Sequence, residues 1–326
     1  MPATRSAAVV FIHGLARKPS PDKLREIWLW ALGRDNPMPS IFAAPNNGLN
    51  LGTRGIPQRL TYYADIFYGT DFESDETLEI QAEGLDSIEP DLQLPAPVTP
   101  RERQFLVGFE AKLSAAAALS PATEVAAAGG QATDAGAQEI ARWLPDPVKR
   151  TVIRKAAMEA YYFLFDKEYV RPDGARFFVR REMRSRLLRD LQAARPSAER
   201  LVIVSHSMGT MLAYDVLRNC PECPKVDTLI TLGSPLGIRE VQDELSASPS
   251  GVDFPPASLD AWVNVYDPLD PICGPDPRIA NDYHPSGGRK VVDVLESNWG
   301  RWRHTITHYL AGTELRRHLG RALGIG

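Results

Sequence analysis

The chain has 326 residues, of which 44% are hydrophobic and 24% are charged, and its formal net charge at pH 7 is −4. This composition is that of a globular protein with a large core, arranged as one large domain or two small ones. Lysine and arginine are scattered along the sequence and form no basic face, so we expect no nucleic-acid partner.

The cysteines indicate a reducing compartment, because Cys220, Cys223 and Cys273 are too few and odd in number for a disulfide framework. Cys220 and Cys223 form a C-x-x-C pair, but a structural zinc site needs four ligands and no second pair exists, so we interpret them as ordinary thiols. The apolar stretch 7–12 is shorter than the apolar region of a secretory signal, and no run is long enough to span a bilayer. These features predict a soluble, cytoplasmic protein without a transmembrane segment.

Short apolar runs that stop at glycine or proline are typical of strands buried on both faces of a parallel sheet. In chain order the predicted strands are Ala7–Ile12, the weaker Thr61–Phe67, Leu201–Val204, Thr228–Leu232, Trp262–Tyr266 and Val291–Val294. Helical spacing of apolar residues occurs between them, at Asp22–Leu32, Met208–Asn219 and Leu310–Leu323. Strands that alternate with helices imply an α/β fold with a parallel sheet covered on both sides.

Residues 70–195 differ from the rest of the chain. Their first part, to residue 135, is rich in Ala, Pro, Glu, Asp and Gly, and we expect some of it to be mobile. Two helices are predicted after it, at Pro147–Phe165 and Ala175–Ala194. We interpret 70–195 as an insertion placed over the sheet, and 1–69 with 196–326 as the core.

The strongest functional pattern is S-H-S-M-G at residues 205–209, directly after a predicted strand and before a predicted helix. A strand that turns at once into a helix strains the residue at the turn and requires small residues two positions before and after it. Ser205 and Gly209 are small, and Ser207 between them would hold its hydroxyl above the sheet at the start of the helix. A serine-rich turn without chemistry is the alternative.

This pattern resembles the G-x-S-x-G nucleophile elbow of α/β-hydrolases, with Ser205 in place of the first glycine and His206 before the nucleophile. The resemblance covers about residues 5–67 and 198–326, and the insertion matches no family pattern. It implies the α/β-hydrolase fold, a mostly parallel central sheet with helices on both faces, here with a helical cap or lid.

The end of the first predicted strand supports the resemblance. His13 and Gly14 follow the strand directly, as in the His-Gly loop of these hydrolases. The resemblance implies that the backbone N–H groups of Leu15 and Met208 form the oxyanion hole. A simple turn with a structural His13 is the alternative.

A third segment, T-L-G-S-P at residues 231–235, looks like the T-x-G-[ST]-P loop of many lipases and esterases. It follows the predicted strand that comes next after the elbow. We expect Ser234 in this loop to be a turn residue and not a second nucleophile.

A serine nucleophile needs a base and an orienting acid, which in this family follow it in the order acid, histidine. Asp270, in D-P-I after the predicted strand Trp262–Tyr266, fits the acid loop best, and Asp267 is the second candidate. One of the two is expected to cap the turn, because Asp-Pro favours turns. For the base we choose His308, in an H-Y-L context at the last predicted helix, with His304 as the second candidate.

The resemblance therefore implies a serine hydrolase that cleaves a small-molecule or lipid carboxylic ester through an acyl-enzyme, without metal or organic cofactor. A thioesterase, an amidase or an acyltransferase would use the same triad, and a non-catalytic binding protein on a hydrolase scaffold stays open. Nothing in the sequence indicates an oligomeric state.

The aromatic run Tyr161–Phe165 in the insertion has two interpretations. It would bind an acyl chain or contact a membrane surface peripherally if its apolar face were exposed. We favour packing against the sheet, because an amphipathic helix usually buries its apolar face.

Overall fold

The computed structural model describes residues 6–14, 16–70, 98–118, 146–246, 251–300 and 302–325, with side chains of the helix at 146–164 described from residue 152. Most of the stretch 70–135, where mobility was expected, lies outside these ranges. The described part of that stretch includes an α-helix at Pro100–Ala118.

Six parallel strands form the central sheet in the spatial order β2-β1-β5-β6-β7-β8. The strands are β1 Ala7–Ile12, β2 Gln58–Thr61, β5 Arg200–His206, β6 Val226–Leu232, β7 Leu259–Tyr266 and β8 Val291–Leu295. A separate antiparallel pair consists of β3 Glu168–Val170 and β4 Arg176–Phe178. The central strands β1 and β5 have continuous apolar sequences because helices cover both of their faces.

Two layers of helices enclose the sheet. The α-helices are α1 Pro21–Gly33, α2 Asp65–Tyr68, α3 Pro100–Ala118, α4 Asp146–Leu164, α5 Val179–Ala194, α6 Met208–Asn219, α7 Arg239–Leu245, α8 Ile306–Ala311 and α9 Thr313–Leu323. Alternate residues of β1 face opposite layers, since Val10 packs in one core with helices α2 to α7 and Val9 in another with α1, α8 and α9. The predicted α/β class, with a parallel sheet covered on both sides, is confirmed.

Three predicted elements differ from the structure. The predicted strand Thr61–Phe67 is wrong over most of its length, because β2 ends at Thr61 and a short helix follows at Asp65–Tyr68. The predicted helix Ala175–Ala194 begins only at Val179, because Arg176–Phe178 pairs with β3. The predicted C-terminal helix is divided at Gly312 into α8 and α9.

The described helices of the predicted insertion pack on the sheet. Tyr161, Tyr162, Phe163 and Leu164 are all buried in the same core as β1, as expected for aromatic residues that serve as core. Helix α5 contacts β1, β2 and α6, so it belongs to the layer that covers the sheet. Within the described residues, no helix is both long and apolar enough to cross a membrane.

The C-x-x-C pair forms part of a turn after α6, in which the Cys223 N–H donates to the Cys220 carbonyl. Burial raises the pKa of both thiols, that of Cys223 to about 12. In the part of the chain that the structure describes, no group of three or more His, Cys, Asp and Glu side chains is placed to hold a metal ion.

A buried ion cluster joins α5 to α6. The carboxylate of Asp215 has no solvent exposure and accepts hydrogen bonds from the guanidinium groups of Arg180, at 2.6 Å, and Arg184, at 2.5 Å. Asn219 donates a further bond at 2.9 Å. Burial opposes ionisation of Asp215, but the bonds from Arg184 and Arg180 outweigh it and hold its pKa below the usual value.

We predict that Asp215→Asn lowers the free energy of unfolding by about 3 kcal/mol, because it leaves two partly buried guanidinium groups without a counter-charge. The matched control is Asp243→Asn, since Asp243 lies 3.9 Å from Arg239 in a pair that is largely exposed. That variant should change stability by less than about 0.5 kcal/mol. Urea denaturation at pH 7 measures both, and equal effects would contradict a structural role for the cluster.

Candidate active site

Ser207 lies at the sharp turn between β5 and α6, with backbone angles φ 56° and ψ −129°. This left-handed conformation is strained for a residue with a side chain and persists only where the surroundings enforce it. Here the Ser207 N–H donates to the carbonyl of Leu232 at the end of β6, at 3.0 Å. The buried Ser207 hydroxyl has no hydrogen-bond partner among the described residues, which is unusual for a buried polar group outside a functional site.

Little space is available at the positions two residues before and after Ser207. Ser205 fits because its hydroxyl donates to the carbonyl of Ile230 in β6, at 3.3 Å. Gly209 has no such room, since a Cβ atom there would lie 2.5 Å from the carbonyl oxygen of His13. The substitution of Ser for the first glycine of the motif is therefore compatible with the turn.

Asp270 and His304 form a buried pair at the same edge of the sheet. The Nδ1 atom of His304 lies 2.9 Å from both carboxylate oxygens of Asp270. Asp270 also accepts bonds from the Ile272 N–H at 2.8 Å and the Tyr309 hydroxyl at 2.7 Å. Burial would raise the pKa of Asp270, but the neighbouring His304 and these donors lower it below the usual value. The acid is thus held ionised and oriented toward one imidazole.

The structure brings His304 to Asp270, and the expected contact between His308 and Asp270 is absent. His308 is buried elsewhere, with its ring stacked on Trp299 at a centroid distance of 3.5 Å. Burial and the nearby Arg34 lower its pKa well below the usual value. The reason is local: α8 begins at Ile306, and its third residue turns away from the acid while the following tyrosine turns toward it.

Asp267, the second candidate acid, holds loops together. Its carboxylate accepts bonds from the backbone N–H groups of Leu269 and Asn298, both at 2.8 Å, and from Arg303 at 3.2 Å. Burial raises its pKa despite these donors. Asp267 therefore caps its own turn and ties it to the segment that carries His304.

The loop after β6 leaves room for the pair. Gly233 has a φ of 52°, and a Cβ atom there would lie 2.6 Å from a carboxylate oxygen of Asp270 and 3.0 Å from His304 Nδ1. Ser234 next to it accepts the N–H of Leu236 at 3.2 Å, as a turn residue does. The expectation of a structural role for this loop agrees with these contacts.

His206 packs against the ring of His304, a contact that the sequence motif did not reveal. The two rings stack at a centroid distance of 4.4 Å, and His206 Nε2 lies 2.9 Å from the backbone carbonyl of His304, to which it must donate a proton. Burial, and then the repulsion of His304, lower the pKa of His206 well below its usual value. His206 is therefore neutral, so a positive charge on His304 would meet no second cation in the stack.

The loop after β1 is fixed on its N-terminal side. His13 Nε2 accepts the Tyr63 N–H at 3.0 Å, and His13 Nδ1 lies 2.7 Å from the Gly14 carbonyl. The Tyr63 hydroxyl also donates to the His13 carbonyl. Burial lowers the pKa of His13 to about 3, so this ring is neutral and structural. Leu15, one expected oxyanion donor, lies outside the described residues.

Met208, the other expected donor, is the first residue of α6. Backbone N–H groups in the first turn of a helix have no partner within the helix and attract negative charge. The position of Met208 directly after Ser207 therefore suits an oxyanion donor.

A narrow cavity opens at the carboxyl ends of β1 and β5. Chain order reverses between these two strands, and ligands of open α/β sheets bind at such a point. The cavity measures about 20 Å³, room for roughly one water molecule. Its described lining residues are Gly14, Ala16, Lys18, Val152, Ala156, His206, Ser207, Ile272, Trp302 and His304.

Comparisons with known proteins add little to this site. No family model matches the chain, and no curated protein matches it. One solved structure to which it is similar is an uncharacterized protein from Pseudomonas aeruginosa, with 10% sequence identity and a TM-score of 0.25. The match covers 90% of this chain and 41% of that chain. The function must therefore be inferred from the geometry of the chain itself.

We predict that the proton on His304 Nδ1 gives a far-downfield ring N–H resonance, because it is buried and bonded to a carboxylate. This resonance should disappear in His304→Gln and remain in the matched variant His308→Gln. Proton NMR at low temperature measures it. Loss of the resonance in the His308 variant alone would contradict the placement of His304.

Proposed function

We propose that the chain is a serine hydrolase with an α/β-hydrolase core, which cleaves a carboxylic ester with Ser207, His304 and Asp270. One observation carries the proposal: the strained Ser207 and the Asp270-bonded imidazole of His304 line the same narrow cavity. The order serine, aspartate, histidine along the chain is that of α/β-hydrolases. In this proposal His304 takes the part expected of His308.

The proposed reaction is acyl transfer in two steps. His304 Nε2 removes the proton of Ser207 as its Oγ attacks the ester carbonyl, and Asp270 stabilises the resulting imidazolium through the Nδ1–H bond. The imidazolium then protonates the leaving alkoxide, which departs as an alcohol. Water repeats the sequence on the acyl-enzyme and releases the carboxylic acid.

The electrostatic surroundings support these roles. Asp270 is held ionised, as an acid must be to stabilise a developing cation. The neutral His206 ring beneath His304 adds no repulsion to that cation. Backbone N–H groups of Leu15 and Met208 are the proposed donors to the oxyanion, and each donor of this kind contributes about 3–4 kcal/mol.

The cavity favours a short acyl group. Its volume of about 20 Å³ holds no chain of several carbons unless a wall moves. Val152 and Ala156 of α4 and Ile272 are apolar residues of its lining. The aromatic residues of α4 lie in the core and offer no exposed face for a lipid surface. A small ester is therefore the proposed substrate class, in place of a long-chain lipid.

We predict that a fluorophosphonate probe labels the wild-type protein and not Ser207→Ala, while the matched control Ser234→Ala is labelled normally. Hydrolysis of p-nitrophenyl acetate should fall by about 10⁵-fold or more in Ser207→Ala and by about 10⁴-fold in Asp270→Asn. The aspartate is less critical because it orients the base and does not itself react.

Labelling that persists in Ser207→Ala would exclude Ser207 as the nucleophile. A wild-type protein that is folded but neither labelled nor active would favour a non-catalytic binding protein on this scaffold. Matched thioester and anilide substrates in the same assay separate a thioesterase or an amidase from an esterase.

We predict that kcat/KM for p-nitrophenyl esters falls from acetate to hexanoate and that Val152→Ala moves the optimum toward the longer chains. Removing two methyl groups from the wall should improve the butyrate-to-acetate ratio by about 10-fold, the effect of roughly one methylene in a hydrophobic pocket. The control is Val107→Ala on the exposed surface of α3, which should leave the ratio unchanged. Highest activity on long-chain esters in the wild type would contradict the proposed substrate size.

A further inference from the structure

Helix α4 of the predicted insertion reaches the loop after β1 through one buried carboxylate. Glu159 is 1% exposed, and its Oε1 atom accepts the backbone N–H of Ala16 at 2.9 Å and the hydroxyl of Tyr68 at 2.6 Å. Glu159 and Ala16 are 143 residues apart in sequence, so the insertion and the core meet at this bond.

Ala16 is a sensitive point of this loop. Its φ of 69° is left-handed, a conformation that costs a non-glycine residue energy unless its contacts enforce it. Ala16 lines the cavity beside Ser207 and directly follows Leu15, the proposed oxyanion donor. A carboxylate that accepts a backbone N–H forms a charge-assisted bond, among the stronger ones in proteins.

The loop is therefore held from two sides by different parts of the chain. His13 and Gly14 are fixed by Tyr63, which belongs to the segment after β2. Ala16 is fixed by Glu159 of α4. Gly14 and Ala16, which line the cavity together with Ser207, are thus held by these two attachments.

We propose that Glu159 is a positioning residue, whose bond to the Ala16 N–H fixes the loop after β1 beside Ser207, so that α4 contributes to the geometry of the active site. This inference rests on the proposed function. Glu159 itself touches no reacting atom, and its effect on the rate is exerted through the loop.

The surroundings of Glu159 make this bond sensitive to pH. Burial raises its pKa to about 7, while the Tyr68 and Ala16 bonds and the nearby Lys18 and Lys155 partly oppose the shift. Tyr63 is a further titratable group close by, but its own pKa lies well above the usual range. As pH rises through about 7, Glu159 becomes charged and its bond to the Ala16 N–H becomes stronger.

The test compares three variants at pH 8 with p-nitrophenyl acetate. Glu159→Leu removes the acceptor and should lower kcat by about 100-fold, near the effect of losing one oxyanion donor, with KM little changed. Glu159→Gln keeps an acceptor oxygen and should recover kcat to within about 10-fold of the wild type. The matched control is Glu102→Leu, because Glu102 is a buried carboxylate of α3 that accepts the Thr99 N–H and does not line the cavity.

The pH profile gives a second readout that a purely structural role would not move. The profile of log kcat in the wild type should show an inflection near pH 7 from Glu159, because its charged form binds the Ala16 N–H more strongly. In Glu159→Gln this inflection should be absent. If Glu159→Leu does not fold, this comparison alone decides the matter, and identical profiles would overturn the inference.

The outcomes separate the two proposals. A wild-type protein without activity and without labelling at Ser207 ends the proposed function. An active wild type in which Glu159→Leu and Glu102→Leu have the same kcat keeps the proposed function and rejects the role of Glu159.

Discussion

The carboxylate of Asp270 has no contact with solvent, and a buried charge is tolerated only where donors surround it. Its donors come from its own turn, at Ile272, and from the C-terminal segment, at His304 and Tyr309. The loop after β6 passes so close to Asp270 and His304 that a side chain at position 233 would collide with them, and Gly233 has none. Three separate segments thus meet around the carboxylate of Asp270, and the imidazole of His304 is fixed as a consequence.

The sheet determines where this arrangement sits. β1 and β5 are neighbours in space, although almost 190 residues of chain separate them, and chain order reverses between them. The loops that leave these two strands diverge, which opens a cleft. Ser207 at the end of β5 faces the loop after β1 across that cleft, while the strands further along carry the acid and its supporting loops. The site is therefore assembled from the loops that follow the carboxyl ends of neighbouring parallel strands.

Local sequence predicted the parts of the fold in which one residue type decides the structure. The apolar runs identified five of the six sheet strands, and S-H-S-M-G identified the turn at Ser207, because both signals depend on immediate neighbours. The edge strand β2 was misplaced, since its alternating and partly exposed sequence lacks a strong apolar run. His308 was chosen over His304 for its H-Y-L context, but which ring lies beside Asp270 depends on the direction of each side chain around the start of α8, which local sequence does not show. Contacts over long separations, such as Glu159 with Ala16, leave no pattern in sequence.

The buried carboxylates of Asp270 and Glu159 differ in their hydrogen-bond donors, and their pKa values shift in opposite directions as a result. Asp270 has an imidazole, a hydroxyl and a backbone N–H close by, and its pKa falls despite burial. Glu159 accepts the Tyr68 hydroxyl and the Ala16 N–H and has Lys18 and Lys155 nearby, but the effect of burial is larger, so its pKa rises to about 7. A group whose pKa is raised by folding stabilises the protein at low pH and loses that contribution as pH increases through the folded-state pKa. The charged form of Glu159, which binds the loop most strongly, is therefore the form that costs stability. Such a conflict is expected where a side chain is retained for positioning a reactive loop, because a neutral or apolar residue at that place would serve the fold better.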